Sequence, residues 1–445
     1  MGDLLRPSMA VIGGGVTGLA AAAELAGSGR FDVTLYERNE RVGGHCLGLQ
    51  LDRLVCDRFY HVVLPGDTAT INWIKELGLA ANLVWSRAGS GFFGKGRLVP
   101  LETALDFLRF PFLSLPDKVR LALGILRVSR IRDPEDPASV STEDWLNGHF
   151  GPRVTEKIWK PLLRSKWGDA APRISAAFIW ASIRRLRGAR RGPAGRERLG
   201  ALRPGIHALI EAAAGGLRES GAHIRVSCRV LGIERGDGGS VRVRTETDSN
   251  LHHAVLVTLA EPELRAILPA ERIVSGRPTA YLGILAVVLA LKKSLSPYYV
   301  INLLDEKLPF TGIIETTNVL PAADFSGRHL VYLPKYTTSG DPLNGRSDDD
   351  VAGLFLAGLT RVFPGFRESD IAAMRVVRAP FAQPLQAPGD PLPAADFHTA
   401  IPGLYAANTS MITRSLHNID ADIRLAREAA RTIVRETAGR ETVHA

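Results

Sequence analysis

The apolar positions near the start of the chain follow the pattern of a strand, a glycine turn and a helix. Residues 9–12 form a short apolar run, which is typical of a buried strand. A glycine-rich turn follows, and alanines and leucines then continue at helical spacing to about Gly27. A second apolar run, 33–36, ends in the acidic residue Glu37. This order predicts a strand–helix–strand unit with an acid at the end of its second strand.

The middle of the chain changes pattern twice. Residues 86–199 carry apolar positions at helical spacing between prolines, and Pro161 predicts the end of the last helix there. The predicted helices are 101–110, 116–132, 141–149 and 154–160. Residues 271–389 instead contain apolar runs of strand length, which predict a strand-rich block. The predicted strands of this block include 281–291, 298–303, 311–315 and 329–333.

The last part of the chain returns to the pattern of the first. Residues 401–408 predict a strand, and residues 419–436 predict the helix that follows it. We therefore expect the chain to return to its first domain near the end, with two segments inserted between. The predicted organisation is a discontinuous nucleotide-binding domain of residues 1–85, 200–270 and 390–445, a helical insert of residues 86–199 and a strand-rich substrate or cap domain of residues 271–389.

The glycine turn has the residues that a dinucleotide requires. Gly13 permits a tight turn, Gly15 lets the backbone approach a pyrophosphate, and Gly18 lets the helix lie close to the sheet. The start of the helix then directs unpaired N–H groups at the phosphates. Glu37 stands about 20 residues further on, where a carboxylate accepts hydrogen bonds from a ribose. An ordinary glycine-rich turn would not need this acid, so the sequence predicts a nucleotide site.

Composition narrows the class of protein. The chain has 445 residues, of which 45% are hydrophobic and 23% charged, as in a globular protein with room for two or three domains. No apolar run approaches the roughly 18 residues of a spanning helix, and the first strand begins too early for a signal peptide. Three cysteines show neither a disulfide framework nor metal-ligand spacing, so we expect no metal. A cytoplasmic location is the default expectation.

The excess of basic side chains is uneven along the chain. The net charge is +9, from 55 basic and 46 acidic residues. One group of basic residues lies in the predicted helix 116–132, and the other is an arginine cluster of Arg184, Arg185, Arg187, Arg190, Arg191, Arg196 and Arg198. Two interpretations remain open: ordinary solvated surfaces, or contact with an anionic membrane surface or an acidic substrate. Nucleic acid is disfavoured because no recognised binding motif accompanies the charge.

The motifs at the two ends of the chain resemble a known superfamily. The glycine turn, Glu37 and the Arg-Val-Gly-Gly segment at 41–44 together resemble the FAD-dependent amine oxidase, phytoene desaturase and protoporphyrinogen oxidase superfamily. The closing strand and helix resemble its C-terminal flavin motif. The resemblance implies an α/β fold: a Rossmann-like FAD-binding domain of the glutathione-reductase-like type, with an inserted helical segment and a second strand-rich substrate domain. It also implies an oxidoreductase with non-covalent FAD.

The resemblance implies FAD contacts at both ends of the chain. The family commonly ends its last strand in Gly-Asp, whereas this chain has Ala407-Asn408, and an asparagine can still bond the ribityl chain. The start of the last helix would direct its positive dipole end at the flavin. The implied cofactor residues are Gly13, Gly15, Val16, Thr17, Gly18, Glu37, Arg38, Arg41, Gly43, Gly44, His45, Val230, Asn408, Asn418, Ile419 and Asp420.

The same resemblance places candidate catalytic and substrate residues. Tyr60 and His61 would stand near the isoalloxazine, where a histidine can carry a proton at neutral pH. His417, just before the last helix, has a similar claim, and for both histidines the alternative is a buried ring that bonds a backbone carbonyl. The candidate substrate residues in the strand-rich block, for which sheet packing is the alternative, are Tyr298, Tyr299, Glu315 and Tyr336.

One departure from the family bears on the reaction. Amine oxidases of this group carry a lysine on the strand that is here 281–286, but this chain has no lysine from residue 281 until Lys292. We therefore favour dehydrogenation (desaturation) or isomerisation of a lipophilic or amphiphilic substrate by hydride transfer to flavin N5. The alternatives are a non-redox enzyme similar to UDP-galactopyranose mutase, an amine oxidase, and a flavin-binding scaffold without activity. The basic helix 116–132 would lie at the substrate entrance, at a membrane face.

Overall fold

Strands and helices alternate through the first and last parts of the chain. The computed structural model describes residues 6–132, 138–168, 171, 174–189, 198–268, 278–390, 396–412 and 417–443. The helices are α1 (Val16–Gly27), α2 (Thr68–Glu76), α3 (Ala104–Arg109), α4 (Leu115–Val128), α5 (Thr142–Phe150), α6 (Lys160–Trp167), α7 (Ala177–Ala189), α8 (His207–Glu219), α9 (Glu261–Ile267), α10 (Asp348–Val362) and α11 (Ile419–Val443).

The strands form two large sheets and several small ones. Those up to residue 225 are β1 (Ser8–Ile12), β2 (Asp32–Tyr36), β3 (Gly48–Leu51), β4 (Leu54–Asp57), β5 (Leu83–Ser86), β6 (Gly89–Gly94), β7 (Arg97–Pro100), β8 (Leu199–Leu202) and β9 (His223–Arg225). Those beyond are β10 (Val230–Arg235), β11 (Val241–Thr245), β12 (Ser249–His252), β13 (Ala254–Val257), β14 (Tyr281–Leu291), β15 (Tyr298–Leu303), β16 (Gly312–Glu315), β17 (His329–Thr337), β18 (Ile371–Pro384) and β19 (Leu404–Ala406).

A five-stranded parallel sheet unites the two ends of the chain. Its strand order is β19-β13-β1-β2-β9, so β1 lies in the centre, and Ile12 pairs with Tyr36 on one side and Val257 on the other. Helices α1, α8 and α11 pack on one face, where Leu19, Leu35 and Ile423 are completely buried. The three-stranded antiparallel sheet β10-β11-β12 covers the other face. With both faces covered, β1 is apolar and buried from Met9 to Ile12, as is typical of parallel strands.

The second large sheet has seven strands in the order β18-β14-β17-β16-β15-β6-β7. Its strands β14 and β15 have the predicted bounds, because their apolar runs end at polar turns. The strands β6 and β7 join it from residues 89–100, and β6 runs parallel to β15. These two strands lie inside the segment 86–199, so that segment is not helical at its start. The domain limits 1–85, 200–270, 390–445, 86–199 and 271–389 stay a prediction.

The helices of the insert pack around their tryptophans. Trp145, Trp167 and Trp180 are between 1% and 6% exposed, in one core with Phe150. The expectation that Pro161 ends a helix is wrong, because the chain stays helical to Trp167. The backbone widens into a π-turn at residues 155–159 directly before the proline. Pro161 then stands in the first turn of α6, where its missing N–H costs no helical hydrogen bond.

Only part of the predicted arginine cluster falls within the described residues, because Arg190, Arg191 and Arg196 lie outside them. Within them, no helix has the length and hydrophobicity needed to cross a bilayer.

The contact between α4 and α5 predicts the effect of one added methyl group. A side chain at Gly124 would overlap the buried ring of Phe150, whereas one at Gly148 would meet nothing within 4 Å. Gly124→Ala should therefore lower the free energy of unfolding by about 1–3 kcal/mol. The matched control, Gly148→Ala in α5, should be neutral or stabilise by up to about 1 kcal/mol. Urea unfolding followed by tryptophan fluorescence measures both, and equal effects would contradict the packing.

Candidate active site

A cavity of about 1190 Å³ lies between the parallel sheet and the seven-stranded sheet. Ligand pockets commonly occupy ~300–1,000 Å³, so this one has room for a large cofactor and a further molecule. The predicted site residues that line it are Gly13, Gly15, Val16, Thr17, Glu37, Arg38, Arg41, Gly43, Gly44, His45, Tyr60, His61, Val230, Tyr336, His417, Asn418, Ile419 and Asp420.

The glycine turn forms the floor of the cavity. Gly13 has φ +106°, which a side chain rarely tolerates. A side chain at Gly18 would overlap the carbonyl oxygen of Gly13, so Gly18 acts through close packing of α1 on β1 and does not line the cavity. A side chain at Gly15 would meet no atom within 4 Å, because this part of the backbone faces open space. The first N–H groups of α1 therefore border a space that an anion can enter.

Glu37 connects the second strand to this turn. Its carboxylate is 6% exposed and accepts hydrogen bonds from Gly14 N (2.8 Å) and Asn39 N (2.8 Å). Oε1 also accepts a hydrogen bond from Asn39 Nδ2 (2.5 Å), so these bonds fix the side chain at the cavity wall and leave Oε2 with further acceptor capacity. The acid is thus held in place before any ligand arrives.

The second glycine pair lies against the first turn. Gly43 donates its N–H to Gly14 O (2.7 Å) and has φ +141°. The two predicted arginines beside it are already paired at the rim: Arg38 with Glu263 (2.6 Å) and Arg41 with Glu211 (3.3 Å). Their charges are therefore partly neutralised where the cavity meets solvent.

The start of α11 forms the opposite end of the cavity. Asn418 caps the helix, since its Oδ1 accepts a hydrogen bond from Ala421 N (2.9 Å). Asp420 Oδ1 accepts one from Thr70 N (3.0 Å), which ties α11 to α2. The positive end of this helix dipole therefore borders the cavity. Asn408, by contrast, does not line it, because its Oδ1 accepts the N–H of Ser410 (3.0 Å) and caps the next turn.

Three histidines line the cavity, and their surroundings shift their pKa values in different directions. Burial lowers the pKa of His45 to about 4 and also lowers that of His61. His61 Nε2 lies 3.6 Å from Cys46 Sγ, while its Nδ1 is buried without a partner among the described atoms. Burial alone would lower the pKa of His417, but Asp422, 3.3 Å from its Nε2, raises it above the ordinary value. His417 is thus the histidine best able to hold a proton.

Aromatic and aliphatic side chains form the wall on the side of the seven-stranded sheet. Ile284, Tyr336 and Phe381 line it, and Tyr60 faces them. Burial raises the pKa of Tyr60 well above its ordinary value and raises that of Tyr336, so both hydroxyls keep their protons. This end of the cavity is therefore apolar with a few neutral hydroxyl groups.

Three predicted substrate residues are not brought to this cavity. Tyr298 lies in β15 beside Gly91, and Tyr299 packs in the core with its hydroxyl buried and unpartnered among the described atoms. The carboxylate of Glu315 accepts hydrogen bonds from Leu295 N (3.2 Å) and Ser296 N (3.2 Å), which stabilise a turn. Glu315 Oε2 therefore has structural partners, whereas the Tyr299 hydroxyl has none among the described atoms.

The structure adds charged residues that sequence reasoning did not select for this site. Lys166 reaches the cavity from α6, and Arg58 enters it from the segment before Tyr60. Arg185 forms a bidentate ion pair with Asp67 (3.2 and 2.7 Å) at its edge. No sequence motif marks Lys166, since only the docking of the insert brings α6 to the other elements. The sequence placed Arg185 in the arginine cluster but did not reveal Asp67, its buried partner.

Comparison with known proteins identifies the family of the site. A family model described as flavin containing amine oxidoreductase matches residues 16–434. Coproporphyrinogen III oxidase of Propionibacterium freudenreichii is 24% identical over 193 residues, 41% of this chain and 36% of that protein. The 4,4'-diapophytoene desaturase of Staphylococcus haemolyticus is 30% identical over 131 residues, 29% of this chain and 23% of that protein. The chain thus spans less than two fifths of these curated relatives.

Solved structures match over almost the whole chain. An oxidoreductase from Methanosarcina mazei has a TM-score of 0.73 at 17% identity, and covers 96% of this chain and 100% of its own. Reduced UDP-galactopyranose mutase has a TM-score of 0.71 at 16% identity, with 97% and 94% covered. At these identities the likeness establishes the fold. The predicted α/β fold with a separate strand-rich part is confirmed.

The residues present fit FAD. Open space in front of Gly15, the fixed acid Glu37 and the start of α11 provide groups for phosphates, a ribose and a flavin. Two buried polar atoms that line the cavity, His61 Nδ1 and the hydroxyl of Thr70, have no partner among the described atoms. A bound polar cofactor would supply one.

Two glycines of α1 allow a matched test of cofactor binding. Gly18→Ala would push α1 away from Gly13, so bound FAD should fall at least roughly tenfold, the equivalent of about 1.4 kcal/mol. Gly27→Ala, where a side chain meets nothing within 4 Å, should retain FAD within about twofold. Flavin absorbance per protein after dialysis measures both variants. Equal retention would contradict the role of this contact.

Proposed function

The chain belongs to the family of flavin containing amine oxidoreductases, whose cofactor is FAD, and from this premise we propose that it dehydrogenates a lipophilic or amphiphilic organic molecule. FAD, held without a covalent bond, supplies the hydride acceptor when bound. The predicted superfamily and cofactor are confirmed by the family match, whereas the substrate class is our proposal. Similar relatives include a porphyrinogen oxidase and a diapophytoene desaturase.

A single observation carries this proposal: one cavity joins the nucleotide-binding turn to an apolar wall. At one end the backbone of Gly15 faces open space, and at the other Ile284 and Phe381 present apolar surface. Carbon–hydrogen oxidation needs a substrate held still beside the cofactor with water excluded. An apolar wall beside the cofactor serves both needs. Tyr60 and Tyr336 add no charge to it, because burial keeps their hydroxyl groups protonated.

The charges around the cavity favour this substrate class over a nucleotide sugar. A diphosphate favours cations that are free of other partners. Arg185 and Arg378 are paired with Asp67 and Asp348, and Arg58 donates its Nη2 to Arg378 O (2.7 Å). Amine oxidation by the family's usual lysine is also disfavoured, because Lys292 donates its Nζ to Ser369 O (2.7 Å).

We also propose that the insert contacts a membrane through an apolar stripe on α4. The apolar stripe consists of Leu115, Val119, Leu123 and Leu126, with Leu105 and Leu108 of α3 beside it. These side chains are between 42% and 64% exposed, although α4 already buries its other face. The exposed arginines around it are Arg109, Arg120, Arg127, Arg130 and Arg132. Apolar side chains bordered by arginines match an anionic bilayer surface.

Candidate compounds can be tested by anaerobic bleaching of the flavin absorbance band. Coproporphyrinogen III and 4,4'-diapophytoene represent the proposed class, putrescine represents amines, and UDP-galactopyranose represents nucleotide sugars. We expect bleaching by a member of the first class. Bleaching by putrescine alone, or turnover of UDP-galactopyranose only after dithionite reduction, would overturn the proposal.

Two tyrosines give a matched control for that test. Tyr336→Leu alters the cavity wall and should lower the bleaching rate at limiting substrate by roughly tenfold or more, about 1.4 kcal/mol. Tyr298→Leu removes a half-buried tyrosine outside the cavity and should leave that rate within about twofold. Equal rates in the two variants would show that the apolar wall does not hold the substrate.

Membrane contact predicts a surface-specific effect on vesicle binding. The protein should sediment with phosphatidylcholine vesicles that contain phosphatidylglycerol, less with pure phosphatidylcholine, and less at high salt. The double change Leu115→Ser and Val119→Ser should weaken binding by about tenfold or more, since a fully buried apolar side chain contributes ~1.5–3 kcal/mol. Leu231→Ser with Leu251→Ser, at similarly exposed positions on the small antiparallel sheet, should change nothing. Equal losses would contradict the assignment.

A further inference from the structure

Lys166 is the cavity residue that the proposed function leaves without a role. It stands near the end of α6, and its Nζ lies 4.1 Å from the ring centre of Phe178 and 4.9 Å from that of Tyr336. Throughout the described parts of the chain, no carboxylate or hydrogen-bond acceptor pairs with it. The other basic side chains beside it on α6 are directed elsewhere, as Arg164 shows by pairing with Glu306 (3.4 Å).

An unpaired amine between two rings has an unusual environment. The ring faces attract an ammonium, but they do not accept a hydrogen bond as a carboxylate does. Burial lowers the pKa of Lys166 to about 7. An amine with such a pKa is present in both protonation states at neutral pH, which suits a group that takes and returns protons.

The groups that face Lys166 from other elements add no compensating negative charge. Tyr336 on β17 is neutral, because burial raises the pKa of its hydroxyl. The charge of Lys166 acts to lower the pKa of His417, before α11, whereas Asp422, 3.3 Å from its Nε2, acts to raise it. Phe178 on α7 carries no charge. None of these neighbours supplies the negative charge that would pair with a buried ammonium on Lys166.

We propose that the neutral amine of Lys166 is the general base that accepts the proton which the substrate releases as it is dehydrogenated. The inference rests on the proposed function. The substrate loses a C–H bond and a neighbouring X–H bond, where X is carbon, nitrogen or oxygen, and forms C=X. The hydride and its electron pair pass to FAD, which is reduced, and the X–H proton passes to Lys166 Nζ. Solvent then takes this proton from the ammonium, so the base is regenerated.

The protonation state of Lys166 can be measured without a substrate. Trace acetylation of the FAD-loaded protein with acetic anhydride, at a series of pH values, reports the neutral fraction of each lysine by mass spectrometry. The peptide with Lys166 should reach half its maximal labelling near pH 7, and in the unfolded chain near pH ~10.4. Half-labelling near the unfolded value in the folded protein, or no labelling at all, would overturn the inference.

Two substitutions of Lys166 distinguish a role in proton transfer from a role of its positive charge. Lys166→Met keeps the length of the side chain and Lys166→Arg keeps its positive charge, but neither can accept a proton at neutral pH. Both variants should keep FAD and should lose roughly 100-fold or more in the rate of flavin bleaching by substrate. The wild-type rate should rise as pH increases through about 7 and then level off, while the variants lack this rise.

The outcomes distinguish this inference from the proposed function. If Lys166→Arg bleaches as fast as wild type, the side chain acts through its charge and the inference fails while dehydrogenation stands. If Lys166→Met bleaches at the wild-type rate with the same pH profile, the inference also fails. If no apolar compound bleaches the wild-type flavin, the proposed function fails, and the acetylation profile still tests the lysine. Lys157→Met, at a residue paired with Asp117 on the insert surface, is the control for general effects.

Discussion

Close contact between α1 and β1 is the constraint on which the site depends. Only glycine at position 18 lets the helix approach the carbonyl oxygen of Gly13, and this approach sets where the first N–H groups of α1 lie. The same turn receives Glu37 from β2 and Gly43 from the next segment, each through a hydrogen bond to Gly14. A shift of one helix would therefore displace the phosphate, ribose and second glycine contacts together.

Away from this turn, burial decides which ionisable side chains of the cavity carry a charge. Removal from water keeps the tyrosine hydroxyls protonated, and it keeps the imidazole of His45 neutral at pH 7. His417 departs from this trend, chiefly because Asp422 stands beside it. The neutral tyrosines suit an apolar substrate, and they do not accept a proton released beside them. Burial thus explains both the neutral tyrosines of the wall and the unusual state of Lys166, the one unpaired amine among the described lining residues.

Sequence reasoning succeeded where local pattern determines structure. The strand–turn–helix at residues 9–27 and the long strands β14 and β15 follow from uninterrupted apolar runs and glycine spacing. It failed where tertiary packing decides: helix α6 passes Pro161 because a π-turn precedes it, and Lys166 gains its neighbours only when the insert docks. Tyr298 was predicted as a substrate residue because it is a tyrosine in the strand-rich block, but the register of β15 with β6 directs it away from the cavity. Motifs locate cofactor contacts, whereas side chains from inserted segments need the fold.

The parallel sheet joins β1, near the beginning, to β19, near residue 404. During synthesis on the ribosome, the glycine turn emerges long before its partners at residues 417–420. At ~5–20 residues per second, roughly 20–80 s separate the two events. A nascent chain in that interval exposes the edge of β13 and one face of α1, both strongly apolar. The cavity that receives the start of the last helix is therefore complete only after residues 417–420 have been made.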